Sequence, residues 1–338
     1  MKLILRAPNW VGDAVMAIPA VDAAREMTGA DLLAVMARPA TAPLFANRPQ
    51  IDRVIVIDDR ISRVRGPFGA AKLIREDRYD VGVIFPPSFS SALIFRLGGV
   101  KERIGFPGDS RSWLLSRAIK PPKDKLHRAR QYLYLLEQLT GRGPLFHHPH
   151  LHLSDEDVAG GNDILRAHGL TYDDRYVVIA PQAVAPSRRW GTDNYGKLAL
   201  SLAEKHACRV VLIGTGRDAS TGDDVRHYAP NSVVNLCGLT DLLAAAAIIS
   251  FAKLFVGNDS GLAHVAAAVG CPLVVLSGPD DPEETSPLSE KKKVIIKDIE
   301  CIRCVRNICP KSGDDLMRCM KLITVEEVAD AAQALVAF

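Results

Sequence analysis

The sequence lacks a long apolar run, a large net charge and several common catalytic motifs. No stretch approaches the roughly 20 consecutive apolar residues of a membrane-spanning helix, so we expect no transmembrane segment. The N-terminal segment lacks the long apolar stretch and the cleavage site of a secretory signal peptide, so we expect a cytoplasmic protein. The formal net charge of +3 gives no general field that would attract nucleic acid.

The missing motifs exclude two large classes of active site. The chain has no Gly-x-Ser-x-Gly elbow and no phosphate-binding loop of the Walker type. Its 338 residues, of which 48% are hydrophobic, are ordinary for a globular protein. Because domains typically hold ~100–200 residues, we expect two domains. The α/β pattern described below restarts near residues 150–172, which predicts an N-terminal domain over residues 1–165 and a C-terminal domain over residues 166–338.

Short apolar runs alternate with helical patterns along both halves of the chain. This alternation is typical of parallel βαβ units in an α/β fold, and ligands of such sheets bind at the carboxyl ends of the strands. Because the pattern restarts, we also expect a ligand cleft between two domains. The predicted strands are Leu3–Arg6, Leu32–Ala37, Val54–Ile57, Val81–Phe85, Tyr176–Ala180, Arg209–Ile213, Leu254–Val256 and Leu273–Leu276. The predicted helices run from about Asp13 to Met27, from Ser90 onward, and over Tyr195–Lys205, Leu239–Ile249 and Gly261–Val269.

The most informative segment runs from Val256 to His264, where a predicted strand ends and a helix begins. Asp259 and Ser260 occupy N-cap positions, and Gly261 permits a close approach to the backbone. The first N–H groups and the dipole of that helix suit a phosphate or diphosphate. A well-capped helix without a ligand explains the same residues, and the pattern alone does not decide between the two.

Two further polar residues follow predicted strands. Asp13 stands at the start of the first helix, where a carboxylate is either a cap or a general base that takes a proton from an attacking hydroxyl. Arg188 follows the strand that opens the second half. Its guanidinium suits a leaving diphosphate, although an exposed basic loop is the alternative.

Four of the seven cysteines lie close together near the C-terminus. Cys301, Cys304, Cys309 and Cys319 form the pattern C-x2-C-x4-C-x9-C. Thiols at this spacing can bind zinc or hold an iron–sulfur cluster, but they can also form disulfides or stay free. A structural metal is therefore one of two predictions here, and we expect no catalytic role for these cysteines.

Together these segments resemble glycosyltransferase family 9, the ADP-heptose:lipopolysaccharide heptosyltransferases. The resemblance runs over nearly the whole chain. Its strongest carriers are residues 258–268, Gly278-Pro279 and Thr285-Ser286-Pro287. Residues 8–13 with Met16, residues 88–93 and residues 103–105 are more similar to the type II than to the type I enzymes.

The resemblance implies an α/β fold of the GT-B type, with two Rossmann-like domains whose parallel sheets face a central cleft. It implies inverting transfer of a heptose from ADP-L-glycero-D-manno-heptose to the inner core of lipopolysaccharide. Asp13 matches the position of the general base and Arg188 that of a basic residue near the donor phosphates. The implied donor-binding residues are Thr240, Asp259, Ser260, Gly261, Leu262 and His264.

The resemblance also implies an acceptor side and a location. Ser88 and Arg103 fall at positions expected to contact the acceptor, although the basic residue that members often carry after the fourth strand is absent here. We expect no cofactor to be required for catalysis. Because the acceptor is a glycolipid, we expect a cytoplasmic protein with peripheral contact to the inner face of the inner membrane. The basic residues of segment 120–130 are Lys120, Lys123, Lys125, Arg128 and Arg130. They form either an ordinary solvated surface or a dock for an anionic acceptor or for lipid headgroups.

Two alternative functions remain open from the sequence. One is another nucleotide-sugar glycosyltransferase or an epimerase of the same two-domain layout. The other is a metal-regulated, nucleotide-binding interaction protein built around the cysteine cluster. The first alternative predicts that a nucleotide other than ADP binds and protects the protein. The second predicts metal-dependent binding of a partner without sugar transfer.

Overall fold

The computed structural model describes residues 1–58 and 66–336, which form two compact units. The first unit covers Met1–His152 and the second begins at Leu153. The predicted boundary between residues 165 and 166 falls inside a helix, Asp155–Ala167. That helix packs against Leu242–Phe251, a helix of the second unit, which explains why the observed division precedes it.

In the described part of the chain, the first unit forms a six-stranded parallel sheet with helical connections. Its strands are β1 (Lys2–Arg6), β2 (Leu32–Ala37), β3 (Arg53–Val56), β4 (Val81–Ile84), β5 (Glu102–Gly105) and β6 (Arg117–Ala118). Its helices are α1 (Val11–Thr28), α2 (Gly66–Arg75), α3 (Phe89–Leu97) and α4 (Arg128–Thr140), with 3-10 turns at Ala42–Phe45 and Ser112–Leu114.

The second unit repeats this plan through residue 336. Its strands are β7 (Tyr176–Ala180), β8 (Arg209–Leu212), β9 (Val233–Asn235), β10 (Phe255–Asn258), β11 (Leu273–Leu276) and β12 (Lys292–Ile295). Its helices are α5 (Asp155–Ala167), α6 (Thr192–His206), α7 (Ala219–Arg226), α8 (Leu242–Phe251), α9 (Gly261–Ala268), α10 (Pro282–Thr285), α11 (Arg318–Lys321) and α12 (Val325–Leu335). Short 3-10 turns occur at Pro186–Arg188, Gly216–Asp218 and Gly313–Asp315.

The two sheets share one strand order. The first reads β3-β2-β1-β4-β5-β6, and the second reads β9-β8-β7-β10-β11-β12 from the opposite edge. In each sheet the first and fourth strands of the unit are therefore parallel neighbours, β1 beside β4 and β7 beside β10. The chain leaves these two strands in opposite directions, which makes a topological switch point where ligands of open α/β sheets bind.

Burial explains why the strands read as continuous apolar runs. Strands of a parallel sheet are covered on both faces, and every residue of β4 and β7 is buried. Gly82 in β4 allows α3 to approach closely, because a Cβ atom there would lie 2.5 Å from the ring of Phe95. The central strands are therefore rigid supports for the loops that follow them.

The predicted α/β class with parallel sheets is confirmed, and several predicted helix starts are corrected. The helix α3 begins at Phe89 rather than Ser90, and α6 begins at Thr192 rather than Tyr195. α1 begins at Val11, so Asp13 lies inside the first turn. α8 begins at Leu242 because the side chain of Asp241 accepts a hydrogen bond from the N–H of Ala244 at 2.8 Å. Among the described residues, no helix combines the length and apolar character that crossing a membrane requires.

Candidate functional site

In the first unit, Asp13 follows the switch-point loop that leaves β1. Arg6 ends this strand and is only 3% exposed. Its guanidinium donates to the carbonyls of Ala7 and Met36 and to Oδ1 of Asn9, which fixes the turn into α1. The residue before α1, Trp10, gives no side-chain capping bond. Asp13 therefore brings a negative charge to a helix end that favours one.

The carboxylate of Asp13 is half-buried and faces α4. The hydroxyl of Tyr132 donates to its Oδ1 at 3.4 Å. Burial, and then the neighbouring charge of Asp13, raise the pKa of Tyr132 well above its ordinary value. The hydroxyl therefore stays protonated and orients the carboxylate as a neutral donor. A carboxylate held in this way can accept a proton from a substrate hydroxyl.

Ser88 and Arg103 occupy different edges of the first sheet. Ser88 follows β4 and caps α3, since its Oγ accepts a hydrogen bond from the N–H of Ser91 at 3.4 Å. The topology thus places Ser88 at the same switch point as Asp13. Arg103 lies on β5, but its guanidinium donates to the carbonyls of Val100 and Lys101, which precede that strand. It therefore points away from the carboxyl edge, and its predicted acceptor contact remains untested.

Arg111 is a buried arginine of this region that the sequence patterns did not indicate. It is 0% exposed and donates to the carbonyls of Pro86 and Phe106, in the loops that follow β4 and β5. Burial lowers the pKa of Arg111 to about 10. The residue fastens the loop before Ser88, so it acts on the switch point indirectly.

In the second unit, Asn258 joins the two switch-point loops. Its amide group is fully buried, donates to the carbonyl of Pro181 at 3.3 Å and accepts from the N–H of Trp190 at 3.2 Å. Trp190 is itself buried and donates its indole N–H to the carbonyl of Ile323. Trp190 is thus a packing residue, and the loop that carries Arg188 is fixed beside the end of β10.

Arg188 forms a bidentate ion pair with Asp280, a residue that no sequence pattern indicated. The Nε atom lies 2.5 Å from Oδ2 of Asp280 and Nη2 lies 2.6 Å from Oδ1. The aspartate side chain is 8% exposed and the arginine 29%. This geometry leaves Nη1 of Arg188 outside the pair. A partly exposed guanidinium in this position can bind a phosphate oxygen.

Asp259 is a buried carboxylate next to this pair. Its side chain is 5% exposed and Oδ1 lies 3.8 Å from Nε2 of His264. Burial, and then the charge of Asp280, raise the pKa of Asp259 to about 7, although Arg188 and Lys292 oppose the shift. Asp259 and His264 thus lie together at the start of α9, and the donor contacts expected of them stay predictions.

The helix α9 begins without a side-chain cap. Ser260 occupies the N-cap position, as predicted, but makes no side-chain capping hydrogen bond. The helix after β7, α6, also begins uncapped, at Gly191 with φ of 107°. Uncapped N–H groups at the positive end of a helix suit an anion. Gly261 and Leu262 form the first turn of α9 and are half-exposed, so this end of the helix is accessible.

Thr240 lies apart from these residues, on the loop between β9 and α8. Two strands, β7 and β8, separate β9 from β10 in the sheet. Thr240 is nevertheless at the same carboxyl edge as the loop after β10. An extended dinucleotide-like ligand can span such an edge, so the predicted donor contact of Thr240 fits this position and stays a prediction.

The raised pKa of Asp259 predicts a pH dependence of stability. Its pKa of about 7 in the folded protein exceeds the ordinary value of 3.8, so the folded state holds the proton more tightly than the unfolded state. The free energy of unfolding should therefore fall as pH rises from about 4 to about 7 and then level off. The full effect is on the order of 4 kcal/mol, since one pKa unit corresponds to about 1.4 kcal/mol.

Asp259→Asn removes the titrating group and should flatten this decline. Urea denaturation between pH 4.5 and 8 measures it, with Trp10→Phe and Trp113→Phe introduced so that Trp190 alone reports on the second unit. Asp224→Asn changes an exposed aspartate on α7 and serves as the control. An Asp259→Asn variant with the same pH profile as the Asp224→Asn variant would contradict the buried titration.

Comparisons with known proteins agree with this arrangement. Residues 69–313 match the model of glycosyltransferase family 9 (heptosyltransferase). The chain is 30% identical to lipooligosaccharide heptosyltransferase 2 of Haemophilus ducreyi over 315 residues, covering 89% of each chain. It is also 30% identical to lipopolysaccharide heptosyltransferase 2 of Escherichia coli, covering 87% of this chain and 88% of the relative.

The fold shows the same relationship. A solved structure of E. coli ADP-heptose lps heptosyltransferase II matches with a TM-score of 0.83 and 28% identity, over 99% of this chain and 98% of that chain. A family 9 glycosyltransferase from Veillonella parvula, 20% identical, matches in fold with a TM-score of 0.87, over 99% of this chain and 97% of that chain. The GT-B fold class is thereby confirmed. The chain belongs to glycosyltransferase family 9, the heptosyltransferases, and is a glycosyltransferase.

Proposed function

We propose that this glycosyltransferase transfers a heptose, with inversion, from ADP-L-glycero-D-manno-heptose to the inner core of lipopolysaccharide. The observation that carries the proposal is the neighbouring position of Arg188 and the uncapped start of α9, in a chain about 30% identical to named heptosyltransferase 2 enzymes. An anion site of this kind fits the diphosphate of a nucleotide sugar.

The reaction is a direct displacement in this proposal. Asp13 accepts the proton of an acceptor hydroxyl, whose oxygen forms a bond to the anomeric carbon of the donor. The bond between that carbon and the diphosphate oxygen breaks, and ADP leaves with the electron pair. Negative charge develops on the departing diphosphate. Hydrogen-bond donors that are already in position therefore stabilise the transition state most.

The second unit supplies these hydrogen-bond donors. Nη1 of Arg188 does not take part in the pair with Asp280 and is the atom assigned to a phosphate oxygen. The N–H groups at Gly261 and Leu262 are assigned to the same diphosphate. Asp259 would repel that anion when ionised, which the raised pKa of Asp259 moderates near neutral pH.

The acceptor side rests on fewer contacts. Ser88 shares the switch point of Asp13 and is assigned to the acceptor sugar, whereas the side chain of Arg103 is engaged with backbone carbonyls. The cytoplasmic location and a peripheral contact with the inner face of the inner membrane remain predictions, as does an electrostatic role for Lys120, Lys123 and Lys125.

The decisive experiment incubates the purified protein with ADP-heptose and truncated lipopolysaccharide acceptors and measures product mass. We expect a product heavier by one heptose. We also expect ADP, but not UDP, to protect the second unit against unfolding. Protection by UDP without ADP would favour the other nucleotide-sugar enzymes. Binding of neither nucleotide, together with metal-dependent capture of a protein, would favour the interaction protein.

A further inference from the structure

The segment from Cys301 to Cys319, here called the cysteine segment, has almost no core of its own. None of its residues is buried; Met320 is the first buried residue after it. Val305 and Ile308 are exposed by 64% and 74%. A stretch of this length without apolar burial usually depends on disulfides or a metal ion for a fixed conformation.

All four cysteines of the segment line one small cavity. The cavity has a volume of about 40 Å³, and its wall also includes Ser187, Pro279 and Met317. The space suits one ion or one water molecule rather than a larger group. The thiols are free in the structure, and within residues 1–58 and 66–336 no three ligating side chains yet meet the geometry of a bound metal. Because Cys301 and Cys304 are exposed, rotation about χ1 can bring their sulfur atoms inward.

The backbone of the segment is already turned around these sulfurs. Arg303, Val305 and Met317 adopt φ of 62°, 53° and 54°, a region that costs non-glycine residues about 1–2 kcal/mol each. The N–H of Met317 donates to Sγ of Cys309 at 3.4 Å. Backbone donors of this kind orient the ligands of metal sites.

The cysteine segment is bonded to both loops that carry the donor-side ion pair. Ser187 donates its hydroxyl to the carbonyl of Arg306 at 2.6 Å and its N–H to that of Asn307 at 3.2 Å. Val305 donates its N–H to the carbonyl of Pro279 at 2.7 Å. Ser187 and Pro279 directly precede Arg188 and Asp280, so the segment supports both members of that pair.

We propose that Cys301, Cys304, Cys309 and Cys319 bind one thiophilic metal ion of the zinc class as four thiolates, and that this site holds the loops of Arg188 and Asp280 in place. Tetrahedral coordination by four sulfurs is the geometry that Zn²⁺ favours in structural sites. Binding releases the thiol protons to solvent and involves no change of oxidation state. The second half of the proposal rests on the proposed donor site.

Metal content tests the first half directly. The full chain, purified without chelator, should contain about one metal ion by elemental analysis, and Co²⁺ exchanged into it should give thiolate-to-cobalt charge-transfer absorption. Cys304→Ser should lose both signals, whereas Lys311→Ser, an exposed residue of the same cavity wall, should keep them. Fewer than seven free thiols in the denatured protein would indicate a disulfide and overturn the site. Acid-labile sulfide would indicate an iron–sulfur cluster and overturn it too. Equal metal content in the Cys304→Ser and Lys311→Ser variants would also overturn it.

Nucleotide binding tests the second half. Removing the metal from the wild-type protein should weaken ADP binding, measured by calorimetry, by about 10–100-fold, and the amide hydrogen of Ser187 should exchange faster. If the purified protein contains the metal but its removal leaves the ADP affinity unchanged, the support role is overturned and the proposed function still stands. A metal-loaded protein that binds no ADP would instead overturn the proposed function, with the metal site intact.

Discussion

Asp13→Asn is expected to lower heptose transfer by about 10²–10⁴-fold, the usual contribution of a positioned general base. The amide keeps the shape of the side chain and can still accept from the hydroxyl of Tyr132, but it cannot take a proton from the acceptor. Single-turnover product formation measures the effect. ADP affinity should not change, because the proposal assigns the nucleotide to the second unit.

Tyr132→Phe provides the matched control for that result. It removes the hydroxyl that orients Asp13 and leaves the carboxylate in place, so a much smaller loss of turnover is expected. Turnover should still fall at low pH in Tyr132→Phe, because protonation of the base stops proton transfer. Asp13→Asn should lose this dependence on pH. Near-normal turnover by Asp13→Asn would remove this residue from the mechanism.

Arg188→Ala should affect both activity and stability. Loss of one preorganised donor to the leaving diphosphate typically lowers turnover by about 10²–10³-fold. The same change leaves the carboxylate of Asp280, 8% exposed, without its partner. Breaking a buried pair costs about 3–5 kcal/mol, and we expect the lower end because Arg188 is 29% exposed. Denaturation followed through Trp190 and steady-state turnover measure the two effects separately.

The double variant Arg188→Ala/Asp280→Ala separates the two roles of the arginine. Removing the carboxylate as well should restore much of the free energy of unfolding, since the buried carboxylate of Asp280 is then no longer left without its partner. Turnover should stay low, because no guanidinium reaches the diphosphate. Recovery of turnover in the double variant would mean that Arg188 acts only by neutralising Asp280.

The sequence predicted those parts of the fold that depend on local pattern. Apolar runs such as Tyr176–Ala180 became buried strands at the predicted place, because a strand covered on both faces needs continuous apolar residues. The order of the strands then follows from the repeated βαβ connections. The loops that carry Asp13 and Ser88 leave adjacent strands, as do the loops that carry Arg188 and Asp259, so each pair belongs to one switch point.

Partners that are distant in sequence were not predictable in the same way. Asp280 lies 92 positions from Arg188, and Tyr132 lies 119 positions from Asp13. No local pattern reports such pairs. The sequence pattern also could not predict the direction of the Arg103 side chain. That direction depends on which carbonyls come within hydrogen-bonding distance, and in the structure these are the carbonyls of Val100 and Lys101.

The repetition of one strand order has a consequence for how the protein is made. All strands of the first sheet come from residues 2–118, and the helix that packs against α1 ends at Thr140. The ribosome delivers this whole set before it translates β7. Because domains fold as units, N-terminal first, during synthesis, the nascent chain can close its first sheet early. Few unpaired strand edges, which can cause aggregation, are then exposed while the ribosome translates the rest of the chain.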